Sequence, residues 1–208
     1  MEHLEPIIKT IALTMGVAWA SGINLYAAIL VLGVLGSTGN ITLPPDLMIL
    51  TDPLVMAAAG VMYAVEFFAD KIPGVDNGWD TIHTFIRIPL GALLAAAAMG
   101  EVNPPIAIAA ALLGGSLTAS THAAKSGTRV LINTSPEPFT NWLASFGEDI
   151  SVIIGLWAAL HYPLFFIIFL IIFILLLVWL LPKIWRGVVR IISMLGDLFK
   201  PKQKDPAE

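Results

Sequence analysis

The residues with chemical capacity in this sequence are concentrated where charge is least expected. Between Tyr63 and Pro89 the chain reads YAVEFFADKIPGVDNGWDTIHTFIRIP, which sets Glu66, Asp70, Lys71, Asp76, Asp80, His83 and Arg87 between two apolar runs. Glu66 and Asp70 are four apart and share one face of a helix. A carboxylate at membrane depth costs about 2.5–3.5 kcal/mol on insertion scales unless it meets water, a cation or a proton. That requirement suits proton coupling, because burial favours the neutral acid. Glu148 and Asp149 make a second acidic pair near the middle of a later apolar stretch. Being adjacent they point to different helix faces, an arrangement that suits a cation or a proton shared between carboxylates.

The basic residues form a set of their own. His122, Lys125 and Arg129 follow one helical face, with His83 and Arg87 approaching from another segment. A phosphate, a carboxylate or a lipid headgroup is a fitting ligand for such a face. Two plainer accounts stay open: topology-setting charge, and ion pairing of Glu148 or Asp149 with Lys125 or Arg129. Asp76, Asp80 and His83 have spacing compatible with a metal, and Asp80, His83 and Arg87 with acid–base chemistry, although caps and surface groups explain the same residues. No HExxH, GxSxG or phosphate-loop pattern is present, so no catalytic residue is assigned.

Such groups need an apolar framework to hold them, and the composition supplies one. Of 208 residues 57% are hydrophobic and 12% charged, about half the charged fraction of ordinary soluble domains, and mean hydropathy is +0.85. The fold class expected is an all-α integral membrane protein. The absence of cysteine removes disulfides, thiolate metal sites and cysteine nucleophiles. No basic tract interleaved with aromatics suggests nucleic acid. The start, MEHLEPIIK, runs into a long apolar segment without a cleavage pattern and reads as an uncleaved first helix.

Six spans follow from the pattern. The first, 7–35, exceeds the roughly 20 residues a crossing needs and is expected to break at Ser21, Gly22 and Asn24. Residues 36–52 carry paired prolines and an apolar centre, as an interfacial or re-entrant piece would. The second span covers 53–71 and is stopped by Pro73 and Gly74. Asp76 or Asn77 is expected to cap a short cytoplasmic helix bearing Asp80 and His83. The third and fourth spans, 86–100 and 106–121, are rich in alanine and glycine and suit close packing, within the chain or across a homodimer. The fifth covers 138–161. The sixth, 163–182, is uniformly bulky and should face lipid, and residues 182–208 read as an amphipathic cytoplasmic helix and a solvated tail. With the N-terminus cytoplasmic, the outer connections are 36–52, 101–105 and 161–163, and none holds Lys or Arg. The positive-inside rule therefore favours six spans with both termini cytoplasmic.

The halves echo each other. Ala-Ser-Gly at 20–22, Thr-Asp-Pro at 51–53 and Glu66 are matched by Ala-Ser-Thr at 119–121, Pro-Glu-Pro at 136–138 and Glu148. Repeats of three spans each, about 7–101 and 104–181, would be oppositely oriented, with a site near the midplane between discontinuous helices.

ADKIPGVDNGWDTIHTFIRIPLGALLAA and THAAKSGTRVLINTSPEPFTNWLASFGED resemble the bacterial membrane proteins grouped as a domain of unknown function, DUF4126, over residues 10–162. The resemblance implies a compact helical inner-membrane protein and brings no activity. A looser likeness is to inverted-repeat cation exchangers with a recurring Glu-x-Gly-Asp-Lys/Arg motif. Glu66-Phe-Phe-Ala-Asp70-Lys71 departs from it by an added residue and a missing glycine, and Gly147-Glu148-Asp149 keeps only part.

The leading functional expectation is a small membrane transporter, coupled to a proton or cation, with a polar site between the second and fifth spans. Its candidate site residues are Asn24, Glu66, Asp70, Asp80, His83, Arg87, His122, Lys125, Arg129, Glu148 and Asp149. No cofactor is expected beyond a bound cation or lipid. The expected partners are the bilayer and a small ion, anionic solute or lipid headgroup, with no nucleic acid. Two rivals come from other classes: a membrane enzyme or lipid-handling protein acting on a phosphorylated headgroup, and a structural partner subunit.

Overall fold

The computed structural model describes residues 4–134 and 139–198, with side chains described up to 194. The acidic start at 1–3, the Pro-Glu-Pro at 136–138 and the tail at 201–208 lie outside the described residues. Those described form helices without strands: α1 (Leu4–Ser37), a 3-10 helix (Pro45–Thr51), α2 (Pro53–Ala69), α3 (Val75–Ala98), α4 (Pro104–Ile132), α5 (Phe139–His161) and α6 (Pro163–Leu198). Five helices are long and apolar enough to cross a membrane, or six if the 3-10 helix and α2, bent by 67°, form one broken span. The bend is built by local chemistry. Pro53 opens α2, and Asp52 caps it by accepting from the Leu54 and Val55 amides at 2.8 and 3.4 Å. Leu47 and Leu50 of the 3-10 helix reach into the core, so residues 36–52 fold back onto the bundle.

α1 is the axis on which the other helices pack. Ala12, Val17, Ala18, Ala20, Leu25 and Leu32 along it are buried. Trp19 holds α6 edge-on through Phe166, Phe169 and Phe173, with ring centroids 6.0, 5.6 and 6.0 Å away. The small-residue stretches pack inside the chain: a Cβ on Gly115 of α4 would lie 3.0 Å from that of Ala92 of α3. Outer faces carry Leu54, Phe85, Leu112, Ile154 and Val178, all exposed. α6 is the most exposed of the spans, as its uniform composition predicts.

Two boundaries differ from the pattern. Residues 75–85 are not a separate short helix, because α3 runs unbroken from Val75 to Ala98 through Pro89. Gly74, at φ +85°, holds its N-cap position without a side-chain bond, while Asp76 Oδ1 accepts from the Gly74 and Asn77 amides at 2.9 and 2.7 Å. The charges of this stretch, which suggested a solvated segment, are buried against neighbouring helices and need no exit into water. Likewise α6 passes through Pro182 to Leu198, so residues 183–198 extend the sixth helix and do not begin a new one.

Candidate functional site

The site begins with a break in α1. Asn24 has φ −146° and ψ 99°, outside the helical region. The Ala27 amide, which an intact helix would pair with the Ile23 carbonyl, donates instead to Asn24 Oδ1 at 3.0 Å. Asn24 thus caps the second half of α1 from within the helix. The freed Ile23 carbonyl accepts from Arg87 Nη1 at 3.0 Å and from Lys125 Nζ at 3.1 Å. A discontinuity of the backbone and two buried cations satisfy one another.

Those cations belong to a larger cluster. Glu66 of α2 pairs with Arg87 of α3, both fully buried. Lys125 of α4 reaches Glu66 at 3.1 Å, Asp70 at 2.9 Å and Glu148 of α5 at 3.5 Å. Arg129, one helical turn along, holds Glu148 in a two-pronged bond, Nη2–Oε2 2.7 Å and Nε–Oε1 3.2 Å. It also donates to the Asp70 and Asn141 carbonyls, each at 3.0 Å. Asp80 stands further off, 3.6 Å from Arg87 and 3.8 Å from Lys125. The basic face of α4 and the acids of α2, α3 and α5 therefore form one network, with Lys125 at its hub. Burying these charges singly would be prohibitive, and mutual pairing is what makes the interior tolerable. Glu148, with 20% of its side chain exposed, is the member open to the outside.

Glu148 and Asp149 face different neighbours. Asp149 leaves the network and accepts from Asn24 Nδ2 at 3.0 Å, tying α5 to the break in α1, with Tyr63 as a further neighbour. The histidines are held by hydrogen bonds within the protein. His83 bonds the Trp79 carbonyl and the Tyr26 hydroxyl, at 2.9 and 3.1 Å, and stacks on Trp79. His122 Nδ1 lies 3.4 Å from Arg87 Nη1, a donor only, so Nδ1 accepts and Nε2–H faces the Asp80 carbonyl and Thr84 Oγ1, at 3.1 and 2.8 Å. Asp76 bonds Asn133 Nδ2 through both oxygens at 2.9 Å. Among the described residues no three His, Asp or Glu are placed to hold a metal, so the spacing of Asp76, Asp80 and His83 does not become a ligand set.

Lys71 is buried too, and it follows a different logic. Its ammonium sits 3.0 Å from the Phe67 ring centroid and donates to Ser145 Oγ at 3.2 Å. Asn141, Asn133, Thr84 and Tyr26 are network members that motif reasoning overlooked. The one available signal was their polarity on the inward faces of apolar helices. Among the described residues, surface clefts of about 280–650 Å³ are lined by other residues.

Comparison with known families places the chain. A family model described as Domain of unknown function (DUF4126) matches residues 11–183. The chain belongs to this family. The match takes in all the residues of the network and extends through the apolar part of α6. No curated protein and no solved structure gives a match.

Proposed function

We propose that this chain is a small multi-pass transporter of the bacterial cytoplasmic membrane, coupled to a proton or a cation, with its polar site between α2 and α5 and α4 as the bridge. The observation that carries this reading is a seven-membered ionic network built at the point where a membrane helix is interrupted. Ionisable groups inside a membrane protein are costly and mark ion or proton pathways. A broken helix whose freed carbonyl faces the site is the arrangement used where solutes and coupling ions bind in transporters. The lack of Lys and Arg in connections 36–52, 101–105 and 161–163 supports a six-span arrangement with both termini cytoplasmic.

The lipid-headgroup enzyme has less support. It needs Asp80, His83 and Arg87 open to a headgroup, and all three are buried. The test is proton movement into proteoliposomes under an imposed potential, followed by an enclosed pH-sensitive dye. Loss of the movement in the Glu66→Gln/Glu148→Gln double variant is expected. Movement unchanged by both substitutions would remove the reading.

A further inference from the structure

Resting on the transport reading, and naming its coupling ion, we infer that Asp80 is the proton-binding carboxyl of the network. Each of the other three acids takes a direct hydrogen bond from a cation: Glu66 from Arg87 and also from Lys125, Asp70 from Lys125, and Glu148 from Arg129. Four carboxylates face three cations, and Asp80 is the one left over. Neither of its oxygens has a hydrogen-bond partner, although the residue is only 1% exposed. Arg87 and Lys125 stand 3.6 and 3.8 Å from Oδ1, each already committed to a nearer acid and to the Ile23 carbonyl.

The groups facing Asp80 set its state. Arg87 of α3 and Lys125 of α4 favour the anion, while Glu66 of α2 and Asp70 of the following turn oppose it. His122 of α4 bonds the Asp80 main-chain carbonyl through Nε2. A carboxylate buried beside two others, with cations near it but no direct hydrogen bond, is the species that takes up a proton. A metal ion is a poor substitute, because no three acids or histidines converge as ligands among the described residues. Glu66 Oε2, Asp70 Oδ1 and Asp149 Oδ2 also lack a partner, but each of these acids accepts a direct hydrogen bond through its other oxygen, Asp149 from Asn24 outside the network, whereas both oxygens of Asp80 are unbonded. Binding and release of one proton at Asp80 switches the network between balanced charge and one surplus negative charge. That switch is what coupling to a proton gradient requires.

The experiment is infrared difference spectroscopy of the purified protein in lipid across a pH titration, read at the carbonyl stretch of protonated carboxyl groups. Wild type should show a band that disappears on the alkaline side. Asp80→Asn should lack it, and Asp149→Asn should keep it. By charge count, removing any network acid abolishes the band, so stability decides which acid carries the proton. Asn imitates the neutral acid, so Asp80→Asn should melt like wild type at neutral pH, whereas Glu66→Gln, which breaks a direct ion pair, should not. A band that persists in Asp80→Asn, a wild type without one, or an Asp80→Asn protein that is as destabilised as Glu66→Gln each overturns the assignment. Failure of proteoliposome flux with the band intact would instead remove the transport reading and leave the proton site standing.

Discussion

Asn24 joins three jobs, and substitution can separate them. Its side-chain oxygen caps Ala27, its amide donates to Asp149, and its extended backbone frees the Ile23 carbonyl for Arg87 and Lys125. Loss of an N-cap costs about 0.5–2 kcal/mol, and a polar pair between membrane helices contributes about 0.6–1.7 kcal/mol. Asn24→Ala removes both and should cost about 1–4 kcal/mol. Asn24→Ser keeps a capping oxygen but loses the donor to Asp149, so its cost should be confined to about 1 kcal/mol. Reversible unfolding in mixed micelles measures both, and a double-mutant cycle of Asn24→Ala with Asp149→Ala isolates the Asn24–Asp149 coupling. The reasoning is refuted if Asn24→Ala and Asn24→Ser are equally stable, or if the coupling energy is zero.

Arg129→Ala strands Glu148 and the Asp70 and Asn141 carbonyls. It should cost about 3–5 kcal/mol, as removing one partner of a buried pair does, seen as a lost or strongly shifted unfolding transition. Gly22→Ala would bring a Cβ within 2.6 Å of the Thr118 carbonyl and 2.7 Å of Thr121 Cβ. That overpacking should cost about 1–3 kcal/mol in the same assay. Gly60→Ala, with nothing within 4 Å, should instead be neutral or stabilise α2 by up to about 1 kcal/mol. Lys71→Met removes the cation above Phe67 without touching the network, so its melting should shift far less than that of Arg129→Ala.

Much of the framework was legible because apolar length, proline and glycine act locally. The apolar segments, the break in the first helix near Asn24, the fold-back at 36–52 and the packing role of Gly114 and Gly115 follow from such signals. The shared face of His122, Lys125 and Arg129 follows from helical spacing alone, and so does the divergence of Glu148 from Asp149. What periodicity does not encode is which acid meets which base. Lys125 is the hub because α2, α3, α4 and α5 converge there, a tertiary fact without a sequence spacing. The same limit explains the misplaced start of the third span. Asp76, Asp80 and His83 look like solvent-seeking residues until their partners on α1 and α4 are in place.

Accessibility of the break in α1 tests translocation most directly. The chain has no cysteine, so Ser21→Cys places a single thiol at a fully buried position one turn before Asn24. A membrane-impermeant maleimide should label it slowly from one side of a proteoliposome under one pH gradient and from the other side under the reverse gradient. A thiol that no gradient opens from either side, in protein that remains folded, would contradict a solute path through this site.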